Sequence, residues 1–251
     1  ETSNSDYEYD ANGNIHRDAL TGFYIYYNLL NLPTVIYTEG DMGLYYTYLS
    51  DGTKIEVCGY DDNEPTRYAG SLVYNDGTFE SASFGGGRIV GTNNGTNSEV
   101  HYFLTDHLGS TRVVAKVTPT GREDLDRKDY YPFGKEWAQP DMPTSDNRYT
   151  FSGKEKQHLR FQEIDYADFG ARFYDADTGI FLQQDPSAED YYHIGQHVYC
   201  AGNPVSRIDS NGCDFTIALR ALIQQLMFDI YTTIANNEAR SQISKNGVKV
   251  I

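Results

Sequence analysis

Asp168-Phe-Gly-Ala-Arg172-Phe-Tyr-Asp175-Ala-Asp-Thr-Gly179-Ile-Phe-Leu-Gln-Gln-Asp185-Pro186 is the most informative run in this chain. Aromatic residues at 173 and 174 lead into Asp-x-Asp-x-Gly, and Ile180-Phe181 follow it. That is a strand end, a turn and a returning strand, because Tyr and Phe suit a half-buried pleated surface and Asx-Gly supplies turn conformations. The same punctuation recurs upstream in Tyr7-Glu-Tyr9-Asp10-Ala-Asn12-Gly13-Asn14, in Tyr46-Thr-Tyr48-Leu-Ser-Asp51-Gly52-Thr53 and in Tyr74-Asn75-Asp76-Gly77-Thr78. A Tyr ring in such a unit can pack inward while its hydroxyl takes a backbone partner. Repeated hairpins of this kind predict a meandering, solenoid-like antiparallel sheet.

Between the copies, Gly22–Tyr27, Thr34–Thr38, Val100–Leu104 and Arg112–Val117 read as strands. Gly85–Gly87, Thr92–Ser98 and Ala138–Asn147 read as loops, the last because Pro140 and Pro143 interrupt any regular element. The composition agrees. Of 251 residues, 22 are Tyr, 12 Phe and 23 Gly, which suits short strands and tight turns rather than a helix bundle. A net charge of −16 argues against nucleic acid or an anionic membrane as partner. Three cysteines do not make a disulfide framework, and no apolar run approaches the roughly 20 residues of a membrane-spanning helix. The chain opens inside a repeat, so it reads as the C-terminal part of something longer.

Beyond Cys213 the pattern changes. Phe215, Leu219, Leu222, Leu226, Ile230 and Ile234 fall on one face of a helix, with Asp214 as its expected N-cap and Asn236-Asn237 as its expected end. The one boundary expected from composition follows Cys213.

The run quoted first, continued by Tyr199-Cys-Ala-Gly-Asn203-Pro204-Val-Ser-Arg-Ile-Asp209-Ser-Asn-Gly212, resembles the Rhs-repeat-associated core, the C-terminal segment of YD-repeat shell proteins. Tyr9–Asn14 with Tyr27-Asn-Leu-Leu-Asn-Leu-Pro33 is similar to a YD-repeat unit of Bacteroidetes type. Tyr102-Phe-Leu-Thr-Asp106-His107-Leu-Gly-Ser-Thr-Arg112, Tyr131-Pro-Phe-Gly134 and Phe151-Ser-Gly-Lys-Glu155 follow in the family's order. The resemblance implies a mainly β fold in which antiparallel hairpins wind into a partial shell closed by the core, with the C-terminal α-helix added. It divides the chain into a YD-repeat hairpin region (1–155), the core (156–213) and a variable extension (214–251). It also implies a secreted or surface module of a polymorphic-toxin-like protein of a Gram-negative bacterium, used in bacterial competition. Such a module would enclose or display its own extension as cargo, with a secretion-system or immunity protein as a possible partner. An adhesion or assembly role through the tail helix is the further alternative.

In autocleaving relatives two Asp and an Arg of the core are implicated, and by motif position these fall on Asp185, Asp209 and Arg172. Their separations of 13 and 24 residues agree with the family pattern. An aspartyl dyad needs carboxylates about 3 Å apart sharing one proton, so that one activates water and the other protonates the carbonyl oxygen. An adjacent Arg would orient one of them. Scission is expected after Cys213. The sequence departs from the family at the cut, with Asp209-Ser210-Asn211-Gly212-Cys213 where relatives carry Asp-Pro-x-Gly-Leu. No cofactor or metal is expected. Asp175 and Asp177 read as turn residues rather than calcium ligands, His193 and His197 lack zinc spacing, Asp106 reads as a turn acceptor beside a packed His107, and Cys213 has no assignable base.

Overall fold

Asx residues begin the turns in this chain, and their side chains hold them. In the computed structural model, which describes residues 6–39, 43–59, 65–137, 139–159 and 162–218, Asp10 Oδ1 accepts from the backbone N–H of Asn12 and Asn14 at 2.9 Å each. Asp51 accepts from Thr53, Asp106 from Leu108 and Ser110, and Asp175 from Asp177. Each carboxylate satisfies donors that a turned backbone leaves free. Asp76 and Gly77, at φ 47° and 72°, make the positive-φ pair of a two-residue hairpin.

The Asp175 turn belongs to a second sheet, while among the described residues turns of this and other kinds join thirteen strands into one open antiparallel sheet in strict chain order. It begins with β1 (Tyr7–Tyr9), β2 (Ile15–Asp18), β3 (Phe23–Tyr27), β4 (Pro33–Thr38), β5 (Leu44–Tyr48) and β6 (Lys54–Gly59). It continues with β7 (Thr66–Ala69), β8 (Leu72–Asn75), β9 (Thr78–Phe84) and β10 (Gly87–Thr92), then β11 (Asn97–Thr105), β12 (Thr111–Thr118) and β13 (Gly121–Arg127). The expected strands are present, and the expected loop Thr92–Ser98 narrows to residues 93–96 because Thr92, Asn97 and Ser98 pair across the hairpin. At the last edge, Arg122, Glu123, Asp124 and Arg127 put charge along β13, which discourages further pairing.

Register places one face of the sheet inward. Ile25 pairs with Ile36 and Ile36 with Leu44, so three strands align their apolar side chains, while Tyr26 and Tyr45 on the opposite face stay exposed. Tyrosines span both environments. Tyr27 donates to the Ile15 carbonyl at 2.6 Å, Tyr48 to that of Pro33 at 2.9 Å, and Tyr130 to that of Thr111 at 2.8 Å.

The C-terminal segment supplies what the inner face packs on. A small hairpin, β14 (Asp129–Tyr130) and β15 (Glu136–Trp137), precedes a four-stranded sheet of β16 (Glu155–Leu159), β17 (Gln162–Asp168), β18 (Phe173–Asp175) and β19 (Ile180–Phe181). Tyr166, Phe173 and Leu182 bury themselves against Ile15, Phe23, Ile25, Ile36, Leu44 and Tyr46 of the large sheet. A second cluster, built from Phe151, Phe169, Tyr174, Phe181, Tyr199 and Cys200, forms the centre of the closing segment itself. Last come β20 (Arg207–Asp209) and β21 (Phe215–Ile217), an antiparallel pair. This corrects the start of the tail helix. Phe215–Ile217 is a strand because pairing with β20 and burial of the Phe215 ring outweigh a helical spacing carried by one residue there. Leu219 and the rest of the expected helix lie outside the described residues.

Charge ties the wall to its plug. Lys54 of β6 reaches Glu155 at 2.8 Å and Asp168 at 2.6 Å, residues more than a hundred positions away, and Tyr68 donates to Glu155 at 2.8 Å. Burial alone would lower the Lys54 ammonium, but Asp168 and Glu155 hold it well above its ordinary value. Arg148 joins Glu155 to Glu80 of β9. Glu80 reaches this side because it is the unpaired residue of a bulge between the pairs Val73–Ser81 and Tyr74–Phe79. Replacing Lys54 with Met removes the ammonium shared by two enclosed carboxylates and leaves Glu155 with Arg148 and Tyr68. We expect a loss of about 3 kcal/mol or more in urea-induced unfolding, while Lys116→Met in the exposed pairs with Glu99 and Glu123 leaves the unfolding midpoint nearly unchanged.

Candidate functional site

Arg172 owes its place to a tight turn. Asp168 Oδ1 accepts from the N–H of Gly170 at 2.8 Å, Phe169 N–H donates to the Arg172 carbonyl at 3.0 Å, and Gly170 sits at φ 94°. The chain therefore enters β18 with the Arg172 side chain driven inward, where only 2% of it is exposed. Its guanidinium lies 3.7 Å from the centre of the Phe181 ring. Nε donates to the Gly212 carbonyl at 2.6 Å and Nη1 to the Gln196 carbonyl at 3.0 Å.

The remaining nitrogen brings the two expected carboxylates together. Arg172 Nη2 lies 3.0 Å from Asp185 Oδ2 and 3.3 Å from Asp209 Oδ2. All three residues singled out from the sequence thus meet at one atom. Asp185 starts the turn after β19, its Oδ1 accepting from Ser187 N–H at 2.8 Å. Asp209 ends β20 and caps the next turn, accepting from Gly212 N–H at 2.7 Å and Asn211 N–H at 3.1 Å. Gly212, at φ 79°, is held so close that a Cβ there would lie 2.9 Å from the Arg172 backbone nitrogen.

Burial pushes the Asp209 carboxyl above its ordinary value, and the hydrogen bonds from Gly212 and Asn211, with Arg172, only partly offset it. Burial likewise lowers Arg172, against Asp185 and Asp209, and raises the Cys213 thiol. Cys200, deeper in the aromatic cluster, is pushed up to about 12. Neither thiol is set up as a nucleophile. A cavity of about 10 Å³ is lined by Arg172, Asp185, Asp209, Tyr191 and Phe215 among others. That is about the space one water needs.

Chemically, the arrangement provides two carboxyl groups on one guanidinium nitrogen, the same guanidinium donating through Nε to a peptide carbonyl. The carbonyl engaged belongs to Gly212, one residue before the expected cut. Four contributors were not singled out from the sequence. Phe181 floors the guanidinium, Gln196 contributes only a backbone oxygen, and Lys154 Nζ donates to the Ser210 carbonyl at 2.6 Å. Asn211 Oδ1 accepts from Cys213 and Asp214 N–H at 3.1 and 3.3 Å. Asn211-Gly212 could have been read as a turn signal; the carbonyl and lysine contacts leave no pattern.

No family model matches the sequence. The chain is similar in structure to TcdB2-TccC3-TEV, with a TM-score of 0.68 over 84% of its length at 18% identity. It is similar also to TcdB2-TccC3 (TM-score 0.65, 81% of this chain, 18% identity) and to the Photorhabdus luminescens Tc holotoxin pore (TM-score 0.66, 84%, 17% identity). The shared fold is that of a Rhs-type β-shell. In sequence, 120 residues, 46% of the chain, are 30% identical to Salivary gland surface protein 1 of Aedes aegypti. The chain spans 11% of the length of those structures' chains and 3% of the mosquito protein.

Because the folded Asp209 carboxyl is raised above its ordinary 3.8, ionising it opposes folding. Its contribution is fully present below the unfolded value and is lost as pH rises through the folded one. Thermal unfolding of wild type and Asp209→Asn between pH 3.5 and 7 should therefore show the wild type losing ground to the variant as pH rises.

Proposed function

We propose that this chain is the closing end of a Rhs-type shell that encloses or displays its own C-terminal extension, residues 214–251. The observation that carries this reading is the burial of Arg172 across Asp185, Asp209 and the Gly212 carbonyl. These contacts fasten the last turn before the extension into the plug of the wall. A secreted or surface location, use in a polymorphic-toxin-like protein, and a secretion-system or immunity partner belong to the same proposal. They rest on the sequence resemblance and on the shared fold.

The second reading is an aspartyl autoprotease acting on the turn that Asp209 caps. Convergence of Asp185 and Asp209 on one guanidinium nitrogen favours it, as does the one-water cavity beside them. Asp185, as carboxylate, would take a proton from the attacking water while Asp209 gives one to the carbonyl oxygen that Arg172 polarises, and collapse of the resulting diol would pass a proton to the departing nitrogen as the C–N bond breaks. The Nε contact makes Gly212–Cys213 the bond best placed for attack, with Cys213–Asp214 next to it.

Denaturing intact-mass measurement over days at pH 4 to 8 separates the readings. A single species near 28.4 kDa at every pH means a structural lock and no protease. Fragments ending at Gly212 or Cys213, abolished by Asp185→Asn and by Asp209→Asn, mean a self-cleaving core. Both outcomes leave the shell reading in place, which instead fails if Arg172→Met leaves protease resistance of residues 207–218 unchanged.

A further inference from the structure

The strand just beyond the candidate cut is held by contacts that do not depend on the covalent turn. Phe215–Ile217 pairs with Arg207–Asp209 in the register Arg207–Ile217, Ile208–Thr216 and Asp209–Phe215. The Phe215 ring lies 4.8 Å from the Arg207 guanidinium carbon and 5.3 Å from the Tyr191 ring, and packs on the buried aromatic cluster of the plug. Tyr191 hydroxyl donates to Asp214 Oδ1 at 3.3 Å, and Ala218, 2% exposed, donates its N–H to the Ser206 carbonyl at 2.9 Å.

Thr216 and Ile217, by contrast, face outward, Ile217 being 60% exposed. One aromatic side chain in a pocket, flanked by backbone pairing, is how an extended peptide binds a sheet edge. Tyr191 touches both Asp214 and Phe215, and Phe215 also lines the cavity beside Arg172, Asp185 and Asp209.

We infer that β20 and Tyr191 form a binding site for an extended peptide, the chain's own Phe215–Ile217, with Phe215 as its anchor. A chain severed in the turn 210–213 then keeps its downstream part bound. The inference rests on the shell reading for its purpose, but not on self-cleavage. A continuous chain holds the strand at high effective concentration, whereas a severed one must hold it by these contacts alone. The site therefore governs whether a cut amounts to release.

The test uses the full chain with a seven-residue recognition sequence for an exogenous protease inserted between Gly212 and Cys213. After complete cutting, native size exclusion followed by denaturing mass spectrometry asks whether the two fragments travel together. Co-elution is expected with Phe215 intact. At least tenfold more free downstream fragment is expected with Phe215→Ala, and an intermediate amount with Phe215→Leu. The uncut variants eluting at the wild-type volume show that they fold. Separation of the fragments with Phe215 intact overturns the inference. So does co-elution that Phe215→Ala leaves unchanged, which places retention elsewhere. Whether the protein ever cuts itself does not enter the result.

Discussion

A buried guanidinium is costly unless its donors find acceptors, and Arg172 finds them on three separate stretches of chain. Asp185, Gln196, Asp209 and Gly212 all converge on it, over the face of Phe181. Asp209 and Gly212 share one turn, which Arg172 ties to Asp185 and to Gln196. Removing the charge would leave Asp209 with only its backbone donors from Asn211 and Gly212, and would take the Nε donor from the Gly212 carbonyl. The same contacts that close the plug therefore build the site, which is why a structural and a catalytic reading draw on identical residues.

A second constraint works at longer range. Among the described residues, the inner face of the large sheet packs on the closing segment that returns to it. Apolar packing through Ile25, Ile36, Tyr166 and Phe173 supplies most of the burial. The Lys54, Glu155 and Asp168 cluster supplies position, since charges satisfied in one arrangement only penalise a shifted plug. The Glu80 bulge shows the sheet itself bending to this purpose, turning a side chain inward that regular alternation would send out.

The hairpin architecture was legible because its signals are local. Asx-Gly turns, Tyr-rich strand ends and period-two burial each act within a few residues, and Asp10, Asp51, Asp106 and Asp175 cap their turns as residue type suggests. Arg172, Asp185 and Asp209 were legible through a resemblance, and the fold brings them to one point. The Lys54 cluster was not legible, since its members lie far apart and single charged residues carry no period. Phe215 misled for the opposite reason. Its spacing fitted a helix, while the contact that decides its conformation, the Arg207 and Tyr191 pocket, is made by residues with no sequence pattern in common.

Hydrogen–deuterium exchange followed by peptide mass analysis, comparing wild type with Arg172→Met, tests the central claim most directly. If Arg172 is the closure, residues 207–218 exchange as slowly as 166–182 in the wild type. In the variant they lose that protection at least tenfold, while β9 to β13 keep theirs. Protection of 207–218 that is absent from the wild type, or unchanged in the variant, would contradict the account.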